Sequence, residues 1–324
     1  MRDFKISRKE LWSALFFVTV LCLLFAGLSM GTQQLLLRHP DWVQDRNKSA
    51  YAITQEAENS IDVIVLGDSL SYSSISPMEL WKAYGMTVYV CGQGGQRIQE
   101  SYHMLKTALQ SQKPKLVILE TNTMFRARSG VDGIKTCMEE WFYYHVPLLR
   151  NHDMWKSVFT NKRYPVHNYK GFFIRTNVEP YEDGKYMFHT KKKAELSGSV
   201  SFYMDEIRKL CKEHGAELML FSAPSPVNYN YEKYNALRKY AKANGLNYLD
   251  MNRKWKRIGI NWNTDSRDKG DHLNLSGAKK ATCYLGDFLK ETFELPDHRK
   301  EAAYQSWEKE LSSYEKELSE RMFS

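Results

Sequence analysis

The segment VIVLGDSLS, at positions 63–71, constrains the fold of this 324-residue chain more than any other feature. Its first four residues are apolar, and a continuous apolar run is typical of a strand buried on both faces of a parallel sheet. Gly67 and Asp68 follow, so that Ser69 falls at the carboxyl edge of that sheet. Open α/β folds bind their ligands at this edge, and a serine there can act as a nucleophile if a base and oxyanion donors lie nearby.

A candidate base stands much later in the chain, at His272. It comes just before a segment, 276–289, whose pattern predicts the last helix of a domain. Three carboxylates lie close to it in sequence, at Asp265, Asp268 and Asp271. Because a catalytic histidine needs a carboxylate to fix its tautomer, the chain supplies a nucleophile, a carboxylate and a base in the order Ser, Asp, His.

The GDSL sequence followed by a distant Asp/His pair resembles the SGNH, or GDSL-type, hydrolase superfamily. That family carries four short blocks on a flavodoxin-like, three-layer α/β/α fold with a parallel sheet. The first block matches positions 67–70, and the resemblance implies that Ser69 is the nucleophile and that its backbone N–H is one oxyanion donor. The second block matches positions 90–96, where Gly95 takes the place of the glycine whose N–H points to the oxyanion; Val90 stands where asparagine is common.

The third block, usually Gly-x-Asn-Asp, resembles residues 120–123. The resemblance makes Asn122 the side-chain oxyanion donor, while Glu120 and Thr123 depart from the pattern. The fourth block departs most, because the family places an Asp three residues before the His and Lys269 stands there.

Asp268 and Asp271 therefore compete for the third position of the triad. Immediate neighbours in an extended segment point to opposite sides, which disfavours Asp271 as the partner of His272. A turn at Lys269 and Gly270 would bring Asp268 back into reach, and we expect Asp268 to take this role.

The alternation of strands and helices along the chain predicts a parallel sheet with helices on both faces. We expect strands at 63–66, 87–90, 116–119, 217–221 and 248–251, and helices at 78–81, 98–110, 202–214 and 231–244. The loop 223–226 would follow the fourth strand and face the site. The resulting domain organisation is a cytoplasmic tail (1–10), a transmembrane signal-anchor helix (11–37), a linker (38–58), an SGNH hydrolase-like domain (59–295) and a charged C-terminal helix (296–324).

The stretch 11–37 contains no charged residue and is long enough to cross a bilayer. Arg2, Lys5, Arg8 and Lys9 precede it, and this basic excess places the N-terminus in the cytoplasm and the rest of the chain outside the cell membrane. A cleaved signal peptide is the other interpretation, although no clean Ala-x-Ala site is present. Both interpretations export the domain.

The segment 125–200 is predicted to be an insertion rich in aromatic and basic residues, from Trp141 to Phe173. Its rings would either stack on sugars above Ser69 or form a small satellite core. The C-terminal helix carries an apolar stripe at Trp307, Leu311, Tyr314 and Leu318, which favours packing onto the domain.

Nucleic acid is a poor partner for an exported domain, so anionic lipid headgroups or acidic wall polymers are better candidate partners for the net charge of +8. A solvated basic face without a partner is the other interpretation, and it is the one we prefer. The five cysteines do not suggest a disulfide framework, and the sequence predicts no metal site and no cofactor. Substrate-binding residues are not assigned by the sequence.

The resemblance implies a serine esterase or O-acyltransferase acting on acyl esters of a cell-envelope glycan or polymer. Anchored, exported members of the family resemble the partners of membrane-bound O-acyltransferases in alginate acetylation and teichoic acid D-alanylation. On that analogy the partners are an acylated cell-surface polysaccharide or teichoic-acid-like polymer and a membrane-bound O-acyltransferase. The other hypothesis is a catalytically silent glycan-binding or assembly protein that retains the fold.

Overall fold

The computed structural model describes residues 7–42, 52–126, 130–164 and 168–322. These residues group into two compact units, Met1–Asp45 with Met138–Pro165, and Arg46–Cys137 with Val166–Ser324. Arg2 and Lys5 of the predicted cytoplasmic tail, residues 43–51 of the predicted linker, and His167 of the predicted insertion lie outside the described residues.

The strands and helices are numbered along the chain. The strands are β1 (Val63–Gly67), β2 (Val88–Gly92), β3 (Leu116–Glu120), β4 (Glu217–Ser222) and β5 (Asn247–Asp250). The α-helices are α1 (Arg8–Arg38), α2 (Ser69–Ser74), α3 (Pro77–Tyr84), α4 (Ile98–Ala108), α5 (Gly130–His145), α6 (Pro147–Arg150), α7 (Met154–Thr160), α8 (Gly198–Glu213), α9 (Tyr231–Asn244), α10 (Trp255–Ile258), α11 (Leu275–Thr292) and α12 (Gln305–Met322).

The smaller unit is built around α1. Its 31 residues rise about 46 Å, more than the ~30 Å hydrocarbon core of a bilayer. Ser7 caps the helix through a reciprocal pair of hydrogen bonds with Glu10. Within the described residues, α1 is the one helix that is long and apolar enough to cross a membrane, a test that a signal sequence near the N-terminus also passes. It is therefore a candidate membrane span.

The larger unit contains a five-stranded sheet, and the strands of its described part are arranged in the order β2-β1-β3-β4-β5. Every neighbouring pair is parallel. The predicted α/β fold with a parallel sheet is thus confirmed, and each predicted strand lies within two residues of the observed one. The chain leaves β1 for one edge of the sheet and then returns to its other side, which makes the β1/β3 border the topological switch point where such sheets bind ligands.

The core lies on both faces of this sheet. Residues 63–66 of β1 are fully buried, as their continuous apolar run predicts. These residues belong to one hydrophobic cluster, which also includes apolar side chains of the other strands and of the helices on both faces of the sheet. Removal of this apolar surface from water stabilises the fold. Burial of this kind explains why β1 needs no alternation of polar and apolar residues.

The helix α12 packs against α3, as its apolar stripe predicts. Trp307 and Tyr314 are buried, and the ring centroids of Trp307 and Trp81 are 5.3 Å apart. The indole of Trp81 donates a hydrogen bond to Glu308 at 3.0 Å, and the Tyr314 hydroxyl donates to Glu79 at 3.0 Å. The charged C-terminal segment is therefore part of the domain core.

Candidate active site

The carboxyl end of β1 delivers Ser69 at the switch point of the sheet. Asp68 caps α2 by accepting a hydrogen bond from the Leu70 backbone N–H at 2.9 Å, and Ser69 is the first residue of that helix. The strand ends on Gly67 because a larger residue does not fit: a Cβ there would lie 2.6 Å from Cβ of Glu120 and 2.7 Å from Cβ of Ser71. The tight packing of this strand-to-helix turn places the backbone that carries Ser69.

The imidazole of His272 reaches Ser69 from the loop before α11. Its Nε2 lies 2.6 Å from the Ser69 Oγ, although 203 positions separate the two residues in the sequence. Asn274 then caps α11 by accepting a hydrogen bond from the Gly277 N–H. The structure thus brings together the serine and the histidine that the sequence predicted as nucleophile and base.

Asp268 is the carboxylate that faces the other side of this imidazole. Its Oδ2 lies 2.6 Å from Nδ1 of His272, and its Oδ1 accepts the backbone N–H of His272 at 2.6 Å. The reversal that brings it there uses positive φ angles at Lys269 (55°) and Gly270 (87°), and the Gly270 N–H is fixed by a hydrogen bond to the Ser266 Oγ at 2.7 Å. The predicted turn at these two residues is therefore present.

The charge state of Asp268 suits this position. Burial raises the pKa of Asp268, but hydrogen bonds from the His272 side chain and backbone outweigh burial and hold the pKa below its ordinary value. Arg267 adds a guanidinium contact, with its Nε 3.2 Å from the Asp268 Oδ2. The carboxylate therefore stays ionised at neutral pH, as a group that stabilises an imidazolium must.

Asp271 is placed differently. Its Oδ1 lies 3.6 Å from Nδ1 of His272 and accepts a hydrogen bond from the Asn228 side chain at 2.5 Å. The Ser225 hydroxyl donates to the Asp271 backbone carbonyl at 2.7 Å, so the loop after β4 faces this site as predicted. Asp271 thus joins the histidine loop to the β4 loop rather than pairing with the imidazole.

Asp268, Asp271 and His272 also present possible ligand atoms within 4.8 Å of one another. The two ring nitrogens of His272 already contact the Ser69 hydroxyl and the Asp268 carboxylate. Both nitrogens are therefore committed to the hydrogen-bond chain, and this arrangement favours general acid–base chemistry at the three residues.

The predicted oxyanion donors lie on the neighbouring loops. Gly95, in the loop between β2 and α4, has a φ of 66°, which favours glycine. Asn122 follows β3 in a 3₁₀ turn (Thr121–Phe125) and is 3% exposed. Its side-chain amide donates one hydrogen bond to the Asp68 Oδ2 at 2.8 Å, which fixes the orientation of the amide and leaves its second hydrogen as the one that would face an oxyanion.

Glu120 occupies the position at which the family resemblance implies a glycine. Its fully buried carboxyl accepts hydrogen bonds from the Asn122 backbone N–H at 2.9 Å and from the Tyr229 hydroxyl at 2.8 Å. Burial, reinforced by the nearby charge of Asp68, raises the pKa of Glu120 well above its ordinary value. The departure from the pattern therefore places a buried acid, whose charged form is disfavoured by burial, beneath the turn that carries Asn122.

The site also contains residues that the sequence motifs do not predict. The Arg126 guanidinium lies 2.5 Å from the buried Oδ2 of Asp68, and the Lys233 ammonium lies 3.3 Å from the Oδ1 of Asn122. Burial lowers the pKa of Lys233. Neither residue belongs to a strand-end block, and no sequence signal singles out either one.

An aromatic pair closes another side of the site. Burial raises the pKa of Tyr72, whose hydroxyl lies beside Ser69, and the ring of Phe173 meets the Tyr72 ring edge-on at 5.3 Å. Phe173 belongs to the predicted insertion, so this part of the insertion does contribute a ring near the nucleophile. Phe172 is buried in the core of the larger unit, whereas Trp141 and Trp155 are exposed, and stacking of insertion rings on sugars stays a prediction.

The four sequence blocks thus meet at one edge of a sheet with strand order 2-1-3-4-5, around a hydrogen-bonded Ser-His-Asp chain. The chain has the fold of the SGNH, or GDSL-type, hydrolases. This is the fold that the GDSL sequence and its partner blocks predicted.

Comparison with known proteins finds similarity among solved structures alone. No protein-family model matches this SGNH-fold chain, and no curated protein matches it. Among solved structures it is similar to a GDSL-like lipase from Bacteroides thetaiotaomicron, with 11% identity, a TM-score of 0.42 and coverage of 77% of this chain and 98% of that chain. It is also similar to a lipase/acylhydrolase from Enterococcus faecalis, with 12% identity, a TM-score of 0.39 and coverage of 73% and 99%.

Proposed function

We propose that this protein is a serine esterase-type hydrolase or O-acyltransferase that acts on acyl esters of a cell-envelope glycan or polymer. The observation that carries the proposal is the continuous hydrogen-bond chain from the Ser69 Oγ through the His272 imidazole to the Asp268 carboxylate, with 2.6 Å at each step. Both contacts are as short as strong hydrogen bonds to a charged group. Residues with a purely structural role would not need a hydroxyl, an imidazole and a carboxylate hydrogen-bonded in that order.

The reaction follows from the roles of the atoms. The Ser69 Oγ attacks the acyl carbonyl carbon while the His272 Nε2 takes the hydroxyl proton, and Asp268 stabilises the imidazolium that forms. The tetrahedral oxyanion would be held by the backbone N–H groups of Ser69 and Gly95 and by the Asn122 side chain. Collapse of the intermediate expels the alcohol, which takes the proton from His272, and leaves an acyl-serine.

The second half of the reaction decides between the two activities. Water, deprotonated by His272, releases the acid and regenerates Ser69, giving an esterase. A sugar hydroxyl in the same place receives the acyl group, giving an O-acyltransferase. The same side chains serve both outcomes, so the acceptor that reaches the acyl-enzyme determines the product.

The placement at the membrane is part of the proposal. The apolar helix α1 with basic residues on its N-terminal side supports a single-pass anchor with a cytoplasmic N-terminus and an extracytoplasmic catalytic domain. An enzyme held there would meet an acylated surface polysaccharide or a teichoic-acid-like polymer, and a membrane-bound O-acyltransferase would be a fitting donor of acyl groups.

Covalent labelling tests the nucleophile directly. The full-length protein in detergent is incubated with a fluorophosphonate probe and, separately, with p-nitrophenyl acetate. We expect labelling and acetate release in the wild type and in Ser73→Ala, a matched control in the same helix, and loss of both in Ser69→Ala and His272→Ala. Equal labelling of Ser69→Ala would contradict the assignment, and a folded wild type that does not label would favour the silent glycan-binding hypothesis.

Acceptor competition separates hydrolysis from transfer. The acyl-enzyme is formed with p-nitrophenyl acetate, and increasing amounts of an oligosaccharide are added. Acetylated sugar at the expense of free acetate supports the O-acyltransferase. Acetate release that is unchanged at every oligosaccharide concentration supports the esterase.

A further inference from the structure

A cavity of about 740 Å³ lies in the larger unit, and none of the triad residues lines it. Its walls come from two segments, 181–187 and 255–263. Four aromatic rings define it, and we call them the aromatic cup: Tyr181, Tyr186, Trp255 and Trp262. The cavity is large enough for a ligand of one or two sugar rings, within the range of ordinary small-molecule sites.

The rings of the aromatic cup are arranged around Trp262. Its ring centroid lies 6.2 Å from Tyr181, 6.0 Å from Tyr186 and 6.2 Å from Trp255. Tyr186 is tied in place because its hydroxyl donates a hydrogen bond to the Asn252 side chain at 3.2 Å. The cup is therefore a fixed wall of aromatic faces and edges, with a partly exposed mouth formed by Tyr181 and Trp255.

The indole of Trp262 is the strongest sign of a ligand. Trp262 is only 7% exposed, yet its Nε1–H has no hydrogen-bond partner among the described residues. Buried tryptophan N–H groups are usually paired, and an unpaired buried donor costs about 1–3 kcal/mol. Trp262 lines the cavity, so a ligand oxygen would accept this hydrogen bond once the side chains that cover the nitrogen move aside.

Polar groups of mixed kind complete the lining. Asn261 and Asn263 offer side-chain amides, and Glu182 stands with Lys185 and Lys256 at the same cavity. Positive and negative groups are both present, so the lining does not select for a strongly charged ligand. Aromatic faces beside amides and isolated charges match a neutral ligand with one apolar face and several hydroxyl groups.

The aromatic cup is joined directly to the histidine loop. The ring of Tyr181 lies against Gly270, where a Cβ would come within 2.7 Å of the Tyr181 ring, and Gly270 is two residues before His272. The Tyr181 N–H donates to the Trp262 carbonyl at 3.1 Å, and the Lys269 N–H donates to the Glu179 carbonyl at 3.1 Å. A ligand in the cup would therefore lie beside the loop that carries the base.

We propose that the aromatic cup binds a neutral pyranose unit of the polymer, face-on to its rings, with a sugar or N-acetyl oxygen accepting the Trp262 indole N–H. This subsite rests on the proposed function, because it names where the glycan that carries or receives the acyl group is held. An O-acyl group on a neighbouring residue of the chain would then be presented to Ser69.

Calorimetry with defined oligosaccharides tests the subsite. Chitotetraose and cellotetraose are titrated into the full-length protein in lauryldimethylamine oxide, a detergent without a sugar headgroup. We expect saturable binding of at least one of them. Trp262→Phe keeps the ring and removes the N–H, and it should weaken binding at least tenfold; Trp155→Phe, an exposed tryptophan outside the cup, should bind as the wild type does.

Two results would overturn the subsite. One is unchanged affinity in both Trp262→Phe and Trp255→Ala when circular dichroism shows that they are folded. The other is the lack of binding of either oligosaccharide to the folded wild type. Fluorophosphonate labelling of Ser69 needs no sugar, so a protein that labels but binds neither oligosaccharide would refute the subsite alone, and one that binds but does not label would refute the enzyme.

Discussion

Replacing Asp268 by asparagine should separate the two candidate carboxylates of the triad. Asp268 contacts the Nδ1 of His272 and accepts the His272 backbone N–H, each at 2.6 Å, whereas the Asp271 Oδ1 lies 3.6 Å from the same Nδ1 and accepts a hydrogen bond from Asn228. In Asp268→Asn, the amide favours the wrong tautomer of His272 and stabilises no imidazolium. We expect kcat to fall about 10²- to 10⁴-fold, equivalent to about 3–5 kcal/mol of transition-state stabilisation.

Asp271→Asn is the matched control, since it makes the same chemical change three positions away. Its kcat should stay within about threefold of the wild type, because the Asp268 contacts to His272 are retained. The assay is steady-state hydrolysis of p-nitrophenyl acetate by both variants, with circular dichroism to show that each is folded. Equal losses in the two variants, or a greater loss in Asp271→Asn, would refute the assignment of Asp268.

Two further predictions concern stability. Burial raises the pKa of Asp250 from 3.8 to about 6. The free energy of unfolding should therefore fall by about 3 kcal/mol as the pH rises from 3.8 to about 6, because the folded protein resists ionisation of this carboxyl. Asp250→Asn should remove this pH dependence. Urea unfolding at pH 4 and pH 8 measures it, and an equal pH dependence in both proteins would contradict it. Trp307→Ala should lower the free energy of unfolding by about 3–5 kcal/mol, because the indole is buried against Trp81. In the same assay, the exposed Phe202→Ala should cost no more than about 0.5 kcal/mol, and similar losses for both would show that α12 does not support the core.

The sequence predicts the sheet well because its strands are buried on both faces. The apolar run of β1 predicts a strand without any knowledge of the neighbouring strands, and the turn residues after Gly67 predict where the strand ends. The turn that brings Asp268 to the His272 ring could also be predicted, since it depends in part on the local conformation of Lys269 and Gly270. The positive φ angles at these two residues and the hydrogen bond from the His272 N–H to Asp268 shape the turn locally, and Glu179 and Tyr181 contact it from a distant segment.

The polar residues around the site could not be predicted from the sequence in the same way. Arg126 contacts Asp68, 58 positions away in the sequence, and Lys233 contacts Asn122, 111 positions away. No local sequence pattern predicts either contact. The aromatic cup is a similar case, because Tyr181 and Trp262 lie in segments that only the folded chain brings together. Contacts of this kind depend on the packing of loops, for which the sequence carries no periodic signal.

The docking of α12 on α3 also bears on how the protein is made. Glu308 follows Trp81 by 227 positions, so the ribosome completes the strands and most helices before the segment that covers the Trp81 indole exists. During synthesis this large aromatic surface stays open to water and to chaperones. A chain cut short before α12 would keep the whole sheet and the Ser-His-Asp residues, yet it would display an uncovered tryptophan that marks it for degradation.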